Sequence, residues 1–292
     1  MENIIQQHAI LLKDKVRMEA YKKAIFSSVK EGDTVFDIGG GLGILSFLAL
    51  KAGASHVHVV EVEPGTWTLL RLVAKHNGLA EKMTFHKGLS TKIRLKKRVD
   101  LIVSELFGNL CLNENLLPVL IDARKRLLKN GGSIIPSGMK VFFAPCENRD
   151  WEFTTTALHN LDGFDLLPDL PDIDVGTPSM IIKNADLLSE PRVFIDIDII
   201  KARSETAANL VTFNVSRDGL LSGFASWFEA RLTGKISFST SPNDLTTHWK
   251  QGFLPLRTPQ KVKAGQKIIF ELEFSPDPSG LNSIMGYHFE VK

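Results

Sequence analysis

The chain has 292 residues, 43% of them apolar and 23% charged, a globular composition long enough for two domains and unlike that of a disordered chain. Thirty-five basic side chains nearly balance 33 acidic ones, for a net charge of +2, so no overall field draws the protein to nucleic acid or anionic lipid. Two cysteines, Cys111 and Cys146, exclude a disulfide framework and a Cys-x-x-Cys metal knuckle, and favour a reduced, intracellular setting.

The first residues, Met1-Glu2-Asn3-Ile4-Ile5, lack the basic start of a secretory signal. No run approaches the ~20 apolar residues needed to span a bilayer. The expectation is a soluble cytoplasmic protein. One number is odd: 18 Phe against two Tyr, Tyr21 and Tyr287.

Residues 8–30 show helical spacing, with Ile10, Leu11, Val16, Tyr21, Ala24 and Ile25 on one pattern. Thr34 to Ile38 reads as a strand. Ile44 to Ala52 reads as a helix stopped by Gly53. His56 to Val62 is a second strand and Trp67 to His76 a second helix. Met83 to His86, Val99 to Ser104 and Gly132 to Pro136 read as further strands, with a helix over Leu116 to Leu128. Apolar strands alternating with helices imply a parallel sheet covered on both faces, a doubly wound α/β domain over residues 1–137. After Pro136 helical signals become scarce. Val141 to Ala144, Arg192 to Ile200, Val211 to Arg217, Ser226 to Thr233, Ile268 to Phe274 and Met285 to Val291 are strand-like. Residues 138–292 are therefore expected to form a β-barrel or sandwich. Prolines and aspartates crowd the stretch after residue 160, which suggests an arm-like insertion at about 152–191.

The first strand runs straight into Asp37-Ile38-Gly39-Gly40-Gly41-Leu42-Gly43 before a helix opens. Glycines there allow close approach to a ligand, and the helix start adds a positive dipole end. Glu61 ends the next strand, 22 residues after Gly39, where a carboxylate can hold ribose hydroxyls. A dinucleotide loop needs its third glycine at Ile44; here it falls one residue early, at Gly43. The spacing Gly39-x-Gly41-x-Gly43 therefore favours S-adenosylmethionine over a nicotinamide cofactor. Asp37, Gly39, Gly41, Gly43 and Glu61 are the cofactor-binding candidates.

A second loop follows the fourth strand and carries Glu105 and Glu114, nine residues apart. Two acids in an apolar loop repel unless a cation lies between them, and a planar guanidinium suits two carboxylates. Glu114 read alone is equally a helix-start acid.

These residues resemble those of the protein arginine N-methyltransferases. That family carries a double-glutamate loop, matched by Glu105 and Glu114. It carries a Thr-His-Trp loop late in its barrel, matched by Thr247-His248-Trp249. Its N-terminal helix motif is matched by Leu12-Lys13-Asp14-Lys15-Val16-Arg17, with His8 ahead. The resemblance implies that Arg17 pairs with the carboxylate of S-adenosylmethionine, that His8 lies near this cofactor, and that Ser90 and Thr91 sit at its adenine. It implies that Glu105 and Glu114 grip the substrate guanidinium, with no metal, and that His248 pairs with Asp14 as a proton relay. The acceptor would be an arginine-bearing protein or a small guanidino compound. The arm, with Gly163-Phe164-Asp165-Leu166, resembles the segment that makes the family's dimers.

The chain departs from that pattern in places. No aromatic Tyr-Phe-x-x-Tyr segment precedes His8. Phe107 and Asn109 stand where Met and Tyr are usual, and Ile10 and Leu11 where an acid and a Met are common. A small-molecule methyltransferase on the same scaffold and an inactive family member are the competing readings. Of the remaining features, the basic run Lys92 to Arg98 reads as a solvated turn, Cys111 as small loop packing and Trp249 as packing beneath His248.

Overall fold

The computed structural model describes residues 4–159, 161–166 and 177–292. Two helices, α1 (Ile4–Lys13) and α2 (Lys15–Ser28), lead into β1 (Thr34–Ile38), α3 (Ile44–Lys51), β2 (His56–Glu61), α4 (Pro64–His76), β3 (Met83–Lys87), β4 (Val99–Ser104), α5 (Leu116–Leu127) and β5 (Leu128–Ile135). The five strands pair in the order β3-β2-β1-β4-β5, all parallel. The order reverses between β1 and β4, and a ligand cleft belongs outside the carboxyl ends of those two strands. β1 and β4 are nearly wholly buried, as a sheet covered on both faces requires.

The expected helix over residues 8–30 is in fact two. Asp14 stands between them with extended backbone, and its side chain accepts from the Arg17 amide at 3.0 Å. An aspartate that caps a new helix also interrupts the old one. Without that bond its Leu-Lys-Asp-Lys setting is ordinary helix sequence.

The remaining chain is largely antiparallel: β6 (Gly138–Cys146), α6 (Arg149–His159), β7 (Ser179–Met180), β8 (Arg192–Asp198), β9 (Ala207–Asn214), β10 (Gly219–Arg231), β11 (Ser237–Ser239), β12 (Gln251–Val262), β13 (Lys267–Pro276) and β14 (Ser283–Val291). One sheet follows β7-β12-β10-β6-β8, with β11 on β10; the other follows β14-β13-β9. α6 and β12 carried no clear sequence signal, since β12 contains Pro255, Pro259, Arg257 and Lys261. Part of the expected arm, residues 167–176, lies outside the described residues.

The tyrosine deficit has a packing explanation. Phe143, Phe194, Phe213, Phe224 and Phe270 are fully buried between the antiparallel sheets, with Phe224 stacked on Phe270 at 4.3 Å. Each contributes about 2–3 kcal/mol by burial. A hydroxyl there would need a partner. The two tyrosines have one each: Tyr21 donates to the Ser104 carbonyl at 2.8 Å and Tyr287 to that of Pro255 at 3.1 Å.

A second aromatic group joins the two halves. Phe107, from the loop after β4, stacks on Phe228 of β10 at 5.0 Å. Phe238 of β11 stacks on Trp249 at 5.5 Å and meets Tyr21 of α2 at 6.3 Å. The floor of the loop that carries Glu105 and Glu114 is therefore shared by both halves.

Candidate active site

The glycine loop closes the end of β1. Gly39, Gly41 and Gly43 have φ of +73°, +53° and +92°, which side-chain-bearing residues rarely adopt. Gly43 is doubly constrained: a Cβ there would lie 2.6 Å from Leu70. Above Gly41 sits His8 of α1, whose ring would come within 3.0 Å of such a Cβ. Burial and the Arg17 charge push the His8 pKa down despite the pull of Glu61 and Glu63.

Glu61 is buried beneath this loop. One oxygen accepts from the Gly41 amide at 2.9 Å; the other accepts from the amides of Val62 and Glu63 at 2.8 and 2.9 Å. The carboxylate thus fixes the loop, between Val60 and Val62 on the cleft wall. Asp37 is a correction. It has no exposed surface, and its carboxylate accepts from the Ser46 hydroxyl at 2.6 Å. It supports the loop from below instead of presenting a cofactor contact. Burial raises its pKa to about 7, with Glu61 adding to the effect and Ser46 opposing it.

A small cleft opens beside the loop, walled by Ile38, Gly39, Val60, Leu89, Leu106 and Val119, with Ser90 and Glu114 on its lining. Thr91 is not on that lining; its carbonyl accepts from Arg94. Gly280 and Leu281, which come from the β13–β14 turn and complete the wall, carry no signal in the sequence. They lie 165 residues or more beyond the acidic loop, and only the fold brings them there.

The acidic loop is pinned from both sides. The Asn115 side chain donates to the Gly280 carbonyl at 3.0 Å, and the Ser283 hydroxyl donates to that of Leu112 at 2.8 Å. Asn109, where the family usually has Tyr, donates to the Thr177 carbonyl and accepts from Asn113. Cys111 is buried at φ +70°, as loop packing demands, and burial pushes its thiol pKa well up.

The two glutamates differ. Glu105 forms a short ion pair with Arg17, whose other terminal nitrogen donates to the Leu11 carbonyl at 3.0 Å. Arg17 is 4% exposed, and its Nε has no partner among the described residues. Glu114 reaches solvent through the cleft while protein surrounds it elsewhere. Partial burial, and secondarily the Glu105 charge, push its pKa up to about 7.

Asp14 and His248 meet across 234 residues. One Asp14 oxygen caps α2; the other accepts from the His248 amide and from its ring Nδ1, each at 2.9 Å. Burial tends to raise the Asp14 pKa, but these bonds outweigh it and hold the carboxyl below its ordinary value. With Nδ1 turned to Asp14, Nε2 is the other ring nitrogen of His248. Trp249 packs against His248 at 3.8 Å between ring centres, and its indole donates to the Phe107 carbonyl at 2.6 Å. The Thr-His-Trp loop therefore holds both α2 and the acidic loop.

A family model described as the arginine methyltransferase oligomerization subdomain matches residues 138–291, more than half of the chain. Protein arginine N-methyltransferase 6 of Xenopus laevis is 31% identical over 96% of the chain and 87% of its own length. The chain belongs to the arginine methyltransferase family. Other members similar to it include a probable protein arginine N-methyltransferase 6.1 of Oryza sativa subsp. indica, 32% identical over 89% of the chain and 79% of that protein. Residues 17–141 also match the model for ribosomal protein L11 methyltransferase. Among solved structures, the Trypanosoma brucei PRMT1 enzyme–prozyme complex with AdoHcy superposes with a TM-score of 0.81 at 22% identity, over 98% of this chain and 93% of that one. A PRMT6 crystal structure gives 0.73 at 24%, over 98% and 100%. These two share the fold of this arginine methyltransferase, a methyltransferase domain followed by a barrel. Among the described residues, no helix is long and apolar enough to cross a membrane.

Proposed function

We propose that the chain transfers the methyl group of S-adenosylmethionine to a guanidino nitrogen of arginine, in a protein or a small guanidino compound. One observation carries this reading. A single loop carries both glutamates: Glu105 is paired with Arg17, next to Leu106 on the cleft wall, and Glu114 lines the cleft with no ion-pair or hydrogen-bond partner among the described residues.

The residues fit the cofactor. Three glycines at positive φ leave room to cradle it, apolar side chains on the cleft wall would flank an aromatic base, and the Nε of Arg17, unpartnered among the described residues, would donate to a carboxylate. Gly39, Gly41, Gly43, Glu61, Ser90 and Arg17 would hold it, with His8 closing over Gly41. Bound there, S-adenosylmethionine would supply an electrophilic methyl group on a sulfonium. Glu114 attracts an entering guanidinium, and the cation in turn draws Glu114 into its ionised form. Glu105 divides its charge between Arg17 and the substrate. Both acids pull positive charge toward the nitrogens they bind, leaving lone-pair density on the third. Glu114, or His248 Nε2 backed by Asp14, takes the proton that this nitrogen loses.

We also propose that residues 1–137 form the cofactor unit and residues 138–292 the barrel. The change from parallel to antiparallel pairing between β5 and β6 supports this division. The oligomerization subdomain points to a homo-oligomer. We propose a homodimer through the arm at about 152–191, because Phe153, Leu161, Phe164 and Leu166 expose apolar surface on it. Light scattering that returns the mass of one chain would sink the dimer.

The test of function is transfer of labelled methyl from donor to an arginine-rich peptide, to free arginine and to the matched lysine peptide. Label on either arginine substrate and none on lysine is expected. Label on lysine alone overturns the reading.

A further inference from the structure

Outside the cleft, one side-chain group is unlike ordinary sheet packing. β2 carries His56 and His58 two residues apart, and its parallel neighbour β3 carries Thr84 and His86. Side chains two apart share a face, and the register sets His58 beside Thr84 and Val60 beside His86. Three imidazoles therefore lie together on one face, at the edge of the sheet. The opposite face of β2 buries Val57 and Val59 completely, whereas all three histidines keep part of their surface open.

The rings adjoin in a row. His56 and His58 have centres 5.0 Å apart, and His58 and His86 5.5 Å apart. His58 Nδ1 and His86 Nε2 lie 3.3 Å from each other. Two nitrogens bound to one tetrahedral ion at zinc–imidazole distances stand about 3.3–3.4 Å apart. For a hydrogen bond between neutral rings the same separation is long.

We propose that His58 and His86, joined by His56, form a binding site for a divalent transition-metal ion of the zinc, nickel and copper class. Imidazole donors select that class over calcium or magnesium. As the side chains stand, no three of the described residues surround a common point. His58 and His86 are already spaced for an ion. His56 Nε2 is held by the Thr84 hydroxyl at 2.8 Å, so recruiting this third ligand requires its ring to leave that partner. Water completes the coordination. The neutral imidazole is the form that binds metal. The ion would clamp the edge strand β3 to β2. Those strands end at Glu61 and Lys87, so the clamp lies on the two strands that lead to the cleft wall at Val60 and Ser90.

The test is calorimetric titration of the full chain with zinc chloride, repeated with nickel chloride, alongside cobalt(II) absorption to report ligand geometry. One zinc per chain is expected. His58→Gln and His86→Gln should each weaken binding at least tenfold, and His56→Gln severalfold. His76→Gln, on α4 away from the group, should leave it unchanged. Circular dichroism and cofactor affinity establish that each variant is folded. A second pair of variants, His58→Asn and His86→Asn, replaces any that is not. Absence of saturable binding overturns the proposal. So does binding that survives the His58 and His86 substitutions, which would place the metal elsewhere.

Discussion

The two sides of the cleft are built on opposite terms. On the glycine side, every bond of the Glu61 carboxylate is made to backbone amides, and the loop is fixed before any ligand arrives. On the acidic side, charge is held in reserve: Glu105 is paired with Arg17, but among the described residues Glu114 has no partner beyond its like-charged neighbour. On the proposed reading, shape would serve the cofactor and uncompensated charge the acceptor. The contrast implies that substitutions on the two sides separate cofactor affinity from turnover.

Glu105→Gln should break that separation and have the largest effect. It removes the partner of a buried arginine, and splitting such a pair costs about 3–5 kcal/mol. Turnover should be nearly abolished and the melting temperature lowered. Cofactor affinity should also fall, because Arg17 loses its anchor; unchanged affinity would show that Arg17 is positioned without Glu105. Glu114→Gln should sharpen the separation. Turnover should drop roughly 10²–10³-fold, while cofactor affinity measured by calorimetry stays within about threefold. Gly43→Ala should do the reverse. A Cβ at φ +92° beside Leu70 displaces the loop, at about 1–3 kcal/mol in stability, and weakens cofactor binding at least tenfold.

A pH experiment probes the reserve charge directly. The Glu114 pKa is raised to about 7 from an ordinary 4.5, so the folded state holds its proton more tightly than the unfolded state. The stability this contributes is present below about pH 4.5 and is lost as pH rises through 7. Solvent in the cleft screens the effect, and a contribution of about 1 kcal/mol corresponds to roughly 2–4 °C. The Tm of the free protein should fall by that amount between pH 5 and pH 8 relative to Glu114→Gln. Asp37, also raised to about 7, remains in both proteins and cancels in the difference. Parallel curves would place the reserve charge elsewhere. The smallest effect belongs to Trp249→Phe, which keeps the ring and deletes the bond to the Phe107 carbonyl. A loss of about 1 kcal/mol by denaturant titration is expected.

The same contrast governs what could be read from sequence. The glycine side was legible because its residues are neighbours in the chain: β1, the loop and α3 are continuous, and Glu61 closes the next strand. Periodicity alone located the parallel strands to within a few residues. Asp14 and His248 were paired from motif resemblance, since no local pattern links positions 234 residues apart. The pairing of Arg17 with Glu105 had no local signal either. Nor did the β13–β14 turn at the cleft, or the Asn109 bond that replaces an aromatic side chain. Asp37 misled because a loop-opening aspartate reads the same whether it faces the ligand or the helix behind; Ser46, nine residues on, decides.

One feature of α1 bears on the order of events. None of its ten residues is buried, and a helix that short is marginal in water by itself. His8 nevertheless lies directly over Gly41. A segment with so little apolar anchorage belongs to the low-stability end of the fold, where local opening is easiest. If S-adenosylmethionine binds beneath His8, α1 has to lift to admit it. Two-substrate initial-rate kinetics should then show an ordered pattern with the donor first, and a random pattern would show that α1 does not gate the cleft.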